Sequence, residues 1–181
     1  FDYLNEFCQV VYLPRTQGIS STQLREERPV VKIGIIGTGS IASRFVPESS
    51  NVNSAVATTA YNPNISENMA FCEKFQIPTM AHDLDELYAN CNAVYIASPH
   101  YTHYDYAKAA LTAGKHVLCE TPFVFNRSQA EELYQIAEDK KLVLMVALKT
   151  AYTPAFGHLF SLLKSRVIGD IVEVNASVTT L

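Results

Sequence analysis

The chain has 181 residues, 48% of them hydrophobic, and 14 Lys and Arg against 18 Asp and Glu give a formal charge of −4. That is enough for one good-sized domain, or one domain with pieces of others, around a proper core. No basic cluster of the kind a phosphate backbone demands is present, so nucleic acid is not an expected partner. No apolar run approaches the roughly 20 residues needed to cross a bilayer and no signal layout opens the chain, so no membrane partner and a cytoplasmic address are expected.

In chain order, residues 10–13 predict a short strand and residues 21–27 a polar helix, closed by Arg28-Pro29. From there strand runs alternate with helical periodicity, the mark of parallel strands joined by crossover helices. Residues 31–36 form a buried strand followed at once by a glycine turn that opens a helix. Residues 55–59 give the second strand, and a helix over 66–75 places Met69, Phe71, Cys72 and Phe75 partly on one face. Further strands fall at 93–97, 116–119 and 142–147, with helices over 102–112 and 127–139 between them. Asn126, with Gln129 three residues on, predicts a capping box for the last of these. Thr153-Pro154 to about Arg166 predicts a helix with Phe156, Leu159, Phe160 and Leu163 on one face, and residues 171–179 read as a strand with nothing after them to pair with. Together with the start at Phe1, this reads as an excised piece. The expected fold is α/β, a doubly wound parallel sheet of Rossmann type at residues 29–150, preceded by a tail at 1–28 and followed at 151–181 by the start of a truncated α+β domain. Cys8, Cys72, Cys91 and Cys119 contain no C-x-x-C pair and no zinc-finger spacing, so no metal site is expected and they read as reduced thiols, Cys119 as a buried strand residue.

The turn Gly37-Thr38-Gly39-Ser40-Ile41-Ala42 fits G-x-G-x-x-[GA] and sits directly between a buried strand and a helix. Gly37 permits the tight turn, Gly39 lets backbone approach a pyrophosphate, and Ala42 packs helix on strand. Free N–H groups and the positive helix end would then hold the phosphates. About 20 positions further on, where an acidic residue would bind the adenosine ribose, stand Tyr61 and Asn62. With neither a carboxylate nor an arginine there, the expected cofactor is NAD or NADP, leaning to NADP.

The glycine turn, Ala97-Ser98-Pro99-His100-Tyr101-Thr102-His103, the run 113–122 ending Cys119-Glu120-Thr121-Pro122, and the strand ending Ala147-Leu148-Lys149 together resemble the Gfo/Idh/MocA oxidoreductases. The resemblance covers the chain from about Val30 onward. It implies that Ser98, Pro99 and His103 lie on a loop beside the cofactor, and that Glu120 and Pro122 belong to a Glu-Lys-Pro motif near the nicotinamide ribose. The lysine of that motif, which would bind substrate and help move its hydroxyl proton, is replaced by Thr121. Lys149, just beyond a parallel strand's carboxyl end, is the candidate to supply the missing ammonium. His100 and His116 read as hydrogen-bonded structural residues, and Tyr101, Tyr104 and Tyr106 as packing and surface residues that make no cofactor box.

Residues 10–22, with Arg15-Thr16-Gln17-Gly18-Ile19-Ser20-Ser21-Thr22, resemble the C-terminal motif of the glycerol-3-phosphate cytidylyltransferase type, in which an arginine fork and hydroxyls contact a nucleotide triphosphate. The resemblances imply a fused parent whose redox half moves hydride between NAD(P) and a sugar-like or polyol substrate, this chain binding cofactor with little catalysis of its own. Two alternatives are a cofactor-binding sensor without turnover, since Thr121 displaces the lysine, and a principal activity residing in the cytidylyltransferase part. Oligomeric state is left open, a homo-oligomer included.

Overall fold

The structure, a computed structural model, describes residues 30–177. The strand and helix expected within residues 10–27 lie outside the described residues, as does Cys8.

The elements are β1 (Val31–Ile36), α1 (Ser40–Ser49), β2 (Ala55–Tyr61), α2 (Ile65–Phe75), β3 (Thr79–Met80), α3 (Leu84–Ala89), β4 (Ala93–Ile96), α4 (His103–Thr112), β5 (His116–Cys119), α5 (Arg127–Asp139), β6 (Leu144–Val146) and α6 (Pro154–Lys164). Short 3-10 turns at His100–Thr102 and Lys149–Tyr152 precede α4 and α6. All six strands are parallel, in the order β3-β2-β1-β4-β5-β6. This is the doubly wound Rossmann order, in which the chain reverses direction across the sheet between β1 and β4. The connections leaving those two strands pass to opposite faces and open a crevice at their carboxyl ends.

The central strands β1, β4 and β5 are mostly apolar, with buried residues toward their carboxyl ends, because helices cover both faces there. Consecutive side chains alternate sides, so neighbours such as Ile35 and Ile36 enter different cores. Ile35 and Tyr95 pack with Ala42 and Val46 of α1 and Phe71 and Cys72 of α2. On the other face Ile36, Val94, Ile96, Val117 and Cys119 meet Leu87 of α3, Ala107, Ala110 and Leu111 of α4, and Leu133 and Ala137 of α5. Leu133 is the large side chain that anchors α5 in this layer, fully buried. Truncating it to Ala would cost about 2–5 kcal/mol.

Several sequence expectations shift. The second strand runs on to Tyr61, the fourth stops at Ile96, and the last contracts to Leu144–Val146 because β5 offers ladder partners only from Val117 to Cys119. Gln129 does not complete a capping box: Asn126 accepts its N–H at 3.0 Å, while the Gln129 side-chain oxygen is buried without a partner. Helix α6 forms as expected, but Leu159 and Phe160 are about half exposed and none of its residues is buried. Residues 171–177 form no strand, since no neighbouring backbone pairs with them among the described residues, and a strand is held by its ladder. Among the described residues no helix is long and apolar enough to cross a membrane.

Candidate functional site

Gly37 takes φ +93°, and a Cβ built there would stand 2.6 Å from the Ala97 carbonyl oxygen and 2.7 Å from the Ser98 nitrogen. The turn after β1 is thus pressed against the backbone leaving β4, at the point where the sheet order reverses. Two residues on, Gly39 is the N-cap of α1, and a Cβ there would meet no heavy atom within 4 Å. That open side faces the crevice.

The start of α1 differs from the other helix starts. Side chains of Asn64, Asp83, Asn126 and Thr153 cap α2, α3, α5 and α6, and α4 runs on from a 3-10 turn. Among the described residues no side chain caps α1, and no acidic residue lies in its first turn. Its first internal bond is Ser43 N–H to Gly39 carbonyl, so among the described residues the amides of Ser40, Ile41 and Ala42 have no acceptor. Free N–H groups at the positive end of a ten-residue helix bind an anion.

Ser40 and Ile41 border a cleft of about 530 Å³ lined also by Gly37, Thr38, Gly39, Asn62, Ser98 and Pro99, all expected from the sequence. The cleft is braced by polar bonds between loops. Asn62 Nδ2 donates to Thr38 Oγ1 at 2.5 Å, joining the ends of β1 and β2, and the Ser98 and Thr102 hydroxyls bond at 2.7 Å. Other residues of the wall are not evident in the sequence. Tyr101 and Tyr106, expected to be packing and surface residues, border the cleft, and Glu67 brings a carboxylate into it from the first turn of α2.

Glu120, Thr121 and Lys149 come together in a second cleft of about 340 Å³, with Arg44, Thr150 and Ile41. Ile41 lines both clefts, so they adjoin across α1. Glu120 is 8% exposed; its Oε1 accepts the Tyr95 hydroxyl at 2.7 Å and its Oε2 accepts the Thr121 N–H at 3.3 Å. Tyr95 stacks on Phe45 with ring centroids 3.8 Å apart, and burial, followed by its bond to Glu120, lifts its phenol far above the usual range. The phenol therefore stays protonated and acts as a fixed donor. Lys149 is 62% exposed, with Nζ 3.5 Å from Glu48 Oε2. Cys119 is buried beneath this cleft, and burial, then Glu120, pushes its thiol up to about 12, so it is not a reactive nucleophile.

Three expected cofactor residues line neither cleft. His103 is 1% exposed, with Nδ1 2.8 Å from the Pro122 carbonyl and Nε2 2.9 Å from the Ser98 carbonyl. It has no face left for a ligand and ties the loop after β4 to the loop after β5, so its expected place at the cofactor is corrected to that of a clamp. Pro122, which follows a cis peptide bond, takes part through its carbonyl and lines neither cleft. Tyr61 turns into the core, edge-on to Tyr106 at 6.4 Å, and also lies off the cleft wall. His116 is structural as expected, its Nδ1 accepting the Val143 N–H at 2.9 Å.

Residues 31–148 match the family described as oxidoreductase family, NAD-binding Rossmann fold (Gfo/Idh/MocA). Scyllo-inositol 2-dehydrogenase (NADP(+)) IolU of Bacillus subtilis is 36% identical over 132 residues, which cover 72% of this chain and 40% of that protein. The crystal structure of KijD10, a 3-ketoreductase from Actinomadura kijaniata with NADP and TDP-benzene, superposes with a TM-score of 0.71 at 28% identity, covering 78% of this chain and 44% of that one. Scyllo-inositol dehydrogenase from Lactobacillus casei shares the fold with a TM-score of 0.71 at 23% identity, covering 78% and 43% of the two chains. This chain thus spans less than half the length of these proteins. With the strand order, the uncapped glycine turn and a match running from β1 past β6, the chain belongs to the Gfo/Idh/MocA oxidoreductase family.

Proposed function

We propose that this chain is the dinucleotide-binding part of an NAD(P)-dependent oxidoreductase acting on a sugar-like or polyol substrate. The observation that carries the reading is the uncapped start of α1, whose free Ser40 and Ile41 amides border the 530 Å³ cleft beside the unobstructed face of Gly39. That donor set fits a diphosphate: backbone N–H groups, a helix dipole and no competing carboxylate in the first turn. The nicotinamide, when bound, supplies the hydride chemistry, and the protein supplies orientation and charge. Ser40 and Ile41 amides hold the diphosphate, and Ser98 and Pro99 form the wall opposite. Glu120, held by the Tyr95 hydroxyl, is a fixed acceptor on the reacting side.

With Thr121 unable to carry charge, Lys149 is the ammonium that orients the substrate hydroxyl or exchanges its proton. Their shared cleft supports this pairing, and the exposed contact with Glu48 at 3.5 Å is weak enough to yield to a ligand. In a longer, active form of the protein, Lys149→Met should lower turnover with polyols at least tenfold; unchanged turnover would remove Lys149 from the mechanism.

Titrating this chain with NADH and NADPH while following nicotinamide fluorescence tests the binding site itself. Saturable binding of one or both is expected, and a flat titration of folded protein refutes the reading. Nicotinamide absorbance with a polyol panel on the longer protein separates an enzyme from a cofactor sensor. For residues 1–28 the Arg15-to-Thr22 motif supports a second proposal, that they are the tail of a fused cytidylyltransferase. CTP-dependent pyrophosphate release by the longer protein is its test.

A further inference from the structure

We infer that the cleft selects NAD(H) over NADP(H), and that Glu67 makes the selection; this rests on the dinucleotide reading above. The adenosine ribose of a Rossmann ligand lies at the carboxyl end of β2. Residues 59–62 offer no carboxylate there, but the chain folds back. Asn62 Oδ1 accepts the Asn64 N–H at 2.9 Å, and α2 then begins so that Glu67, five residues past Asn62, returns to the same wall.

Glu67 is held in place. Its Oε2 accepts Asn62 Nδ2 at 3.1 Å and its Oε1 accepts Asn64 Nδ2 at 2.9 Å. A carboxylate has about four lone-pair sites. Two are used by these amides, and the rest are free to accept both hydroxyls of a vicinal diol. A ribose with free 2′ and 3′ hydroxyls satisfies them; a ribose 2′-phosphate removes one donor and adds about 1.5 to 2 negative charges at pH 7.

Among the described residues nothing on the same wall offsets that charge. Glu67 is the charged side chain among the residues lining the cleft, with no Lys, Arg or His beside it. The helix end that could attract a phosphate is already occupied: the N–H groups of Ser66 and Glu67 donate to Asn64 Oδ1, and that of Asn68 to the Asn64 carbonyl. This is the reverse of α1, whose amides are free. The two helix ends therefore divide the ligand, α1 taking the diphosphate and α2 presenting a fixed anion to the ribose. In an exposed cleft the repulsion and the lost bond together disfavour NADP(H) by on the order of tenfold or more.

The test is a fluorescence titration of this chain with NADH and with NADPH, with thermal unfolding of every variant to confirm folding. The wild type should bind NADH at least about tenfold more tightly. Glu67→Gln should bring the two affinities closer by strengthening NADPH binding, and Pro63→Arg, which adds a cation to the same wall, should strengthen NADPH alone. A wild type that binds NADPH as tightly as NADH, or a ratio unmoved by Glu67→Gln, overturns the inference and leaves the dinucleotide reading standing. Binding of neither dinucleotide by folded protein overturns both.

Discussion

Gly37→Ala and Gly39→Ala each add one methyl, and the structure assigns them opposite consequences. At Gly39 the backbone, φ −76° and ψ −172°, suits any residue, and the new methyl meets no protein atom within 4 Å. Alanine is a poorer N-cap than glycine by up to about 1 kcal/mol. The reduced entropy of the unfolded chain returns about 0.4–1 kcal/mol. Stability should stay within about 1 kcal/mol of wild type, a shift in Tm of a few degrees. The methyl does occupy the approach to the α1 amides. Hydrogen bonds to a charged group contribute about 1.5–3 kcal/mol each, so displacing the diphosphate from one of them should weaken NADH binding about ten- to a hundredfold. At Gly37 the methyl stands 2.6 Å from backbone oxygen at φ +93°. A left-handed alanine costs about 1–2 kcal/mol and overpacking about 1–3 kcal/mol, so Tm should fall by roughly 5–15 °C. Thermal unfolding followed by circular dichroism, paired with NADH titration, separates the two effects. Wild-type affinity in Gly39→Ala would refute the proposed path of the diphosphate.

His103→Phe keeps the ring volume and removes every ring donor, so a buried carbonyl at Ser98 or Pro122 loses its partner; unfolding in urea should show a loss of about 1–3 kcal/mol, with weaker NADH binding from a loosened Ser98-Pro99 wall. Unaltered stability would mean the clamp has no hold on the loops. Tyr95→Phe leaves one oxygen of the buried Glu120 without its donor and should cost about 1–3 kcal/mol by the same assay, whereas a stabilised variant would contradict the fixed-donor role. The Cys119 thiol, raised by burial from 9.0 to about 12, stays protonated in the folded chain while the unfolded chain ionises. Its contribution to stability is complete below pH 9 and is lost as pH rises toward 12, by up to about 1.4 kcal/mol per pH unit. Unfolding midpoints measured across that window should fall less steeply in Cys119→Ala than in wild type, and parallel curves would exclude this thiol as the source.

The parallel sheet and its glycine turn were legible because both are written in local pattern: apolar runs at β1, β4 and β5, and glycines at the two positions where a side chain would strike backbone or block a ligand. The ends of the ladders were less legible. Whether residues 142, 143 and 147 extend β6 depends on what β5 can offer them, and whether 171–177 pair at all depends on a neighbour, not on their β-branched composition. The two-residue β3 and six-residue α3 carry too few apolar positions to show a period. Within the site, the phosphate turn was readable by spacing, but the face of a side chain was not. His103 and Tyr101 stand two residues apart, and only the start of α4 decides that one is buried and the other 74% exposed at the cleft. Glu67 was missed because the rule counts along the strand, while Asn62 and Asn64 turn the chain back and bring in a carboxylate from the next helix.

The clefts share more than a wall. His103 sets one ring nitrogen against the Ser98 carbonyl on the loop bordering the larger cleft and the other against the Pro122 carbonyl just past Thr121 of the smaller. Tyr95, one residue before the end of β4, donates to Glu120 at the end of β5 and stacks on Phe45 of α1. The first tie lies on the α4 side of the sheet and the second on the α1 side, so the carboxyl ends of β4 and β5 are fixed from both faces. A ligand whose diphosphate rests on α1 must pass this pair of strands to bring its nicotinamide toward Glu120, Thr121 and Lys149. Its placement there is then set by buried bonds that it never touches, whereas the ribose end is set by Glu67 on a separate loop. Reach toward the substrate and choice of dinucleotide are therefore controlled by different parts of one sheet edge, and substitutions in one should leave the other intact.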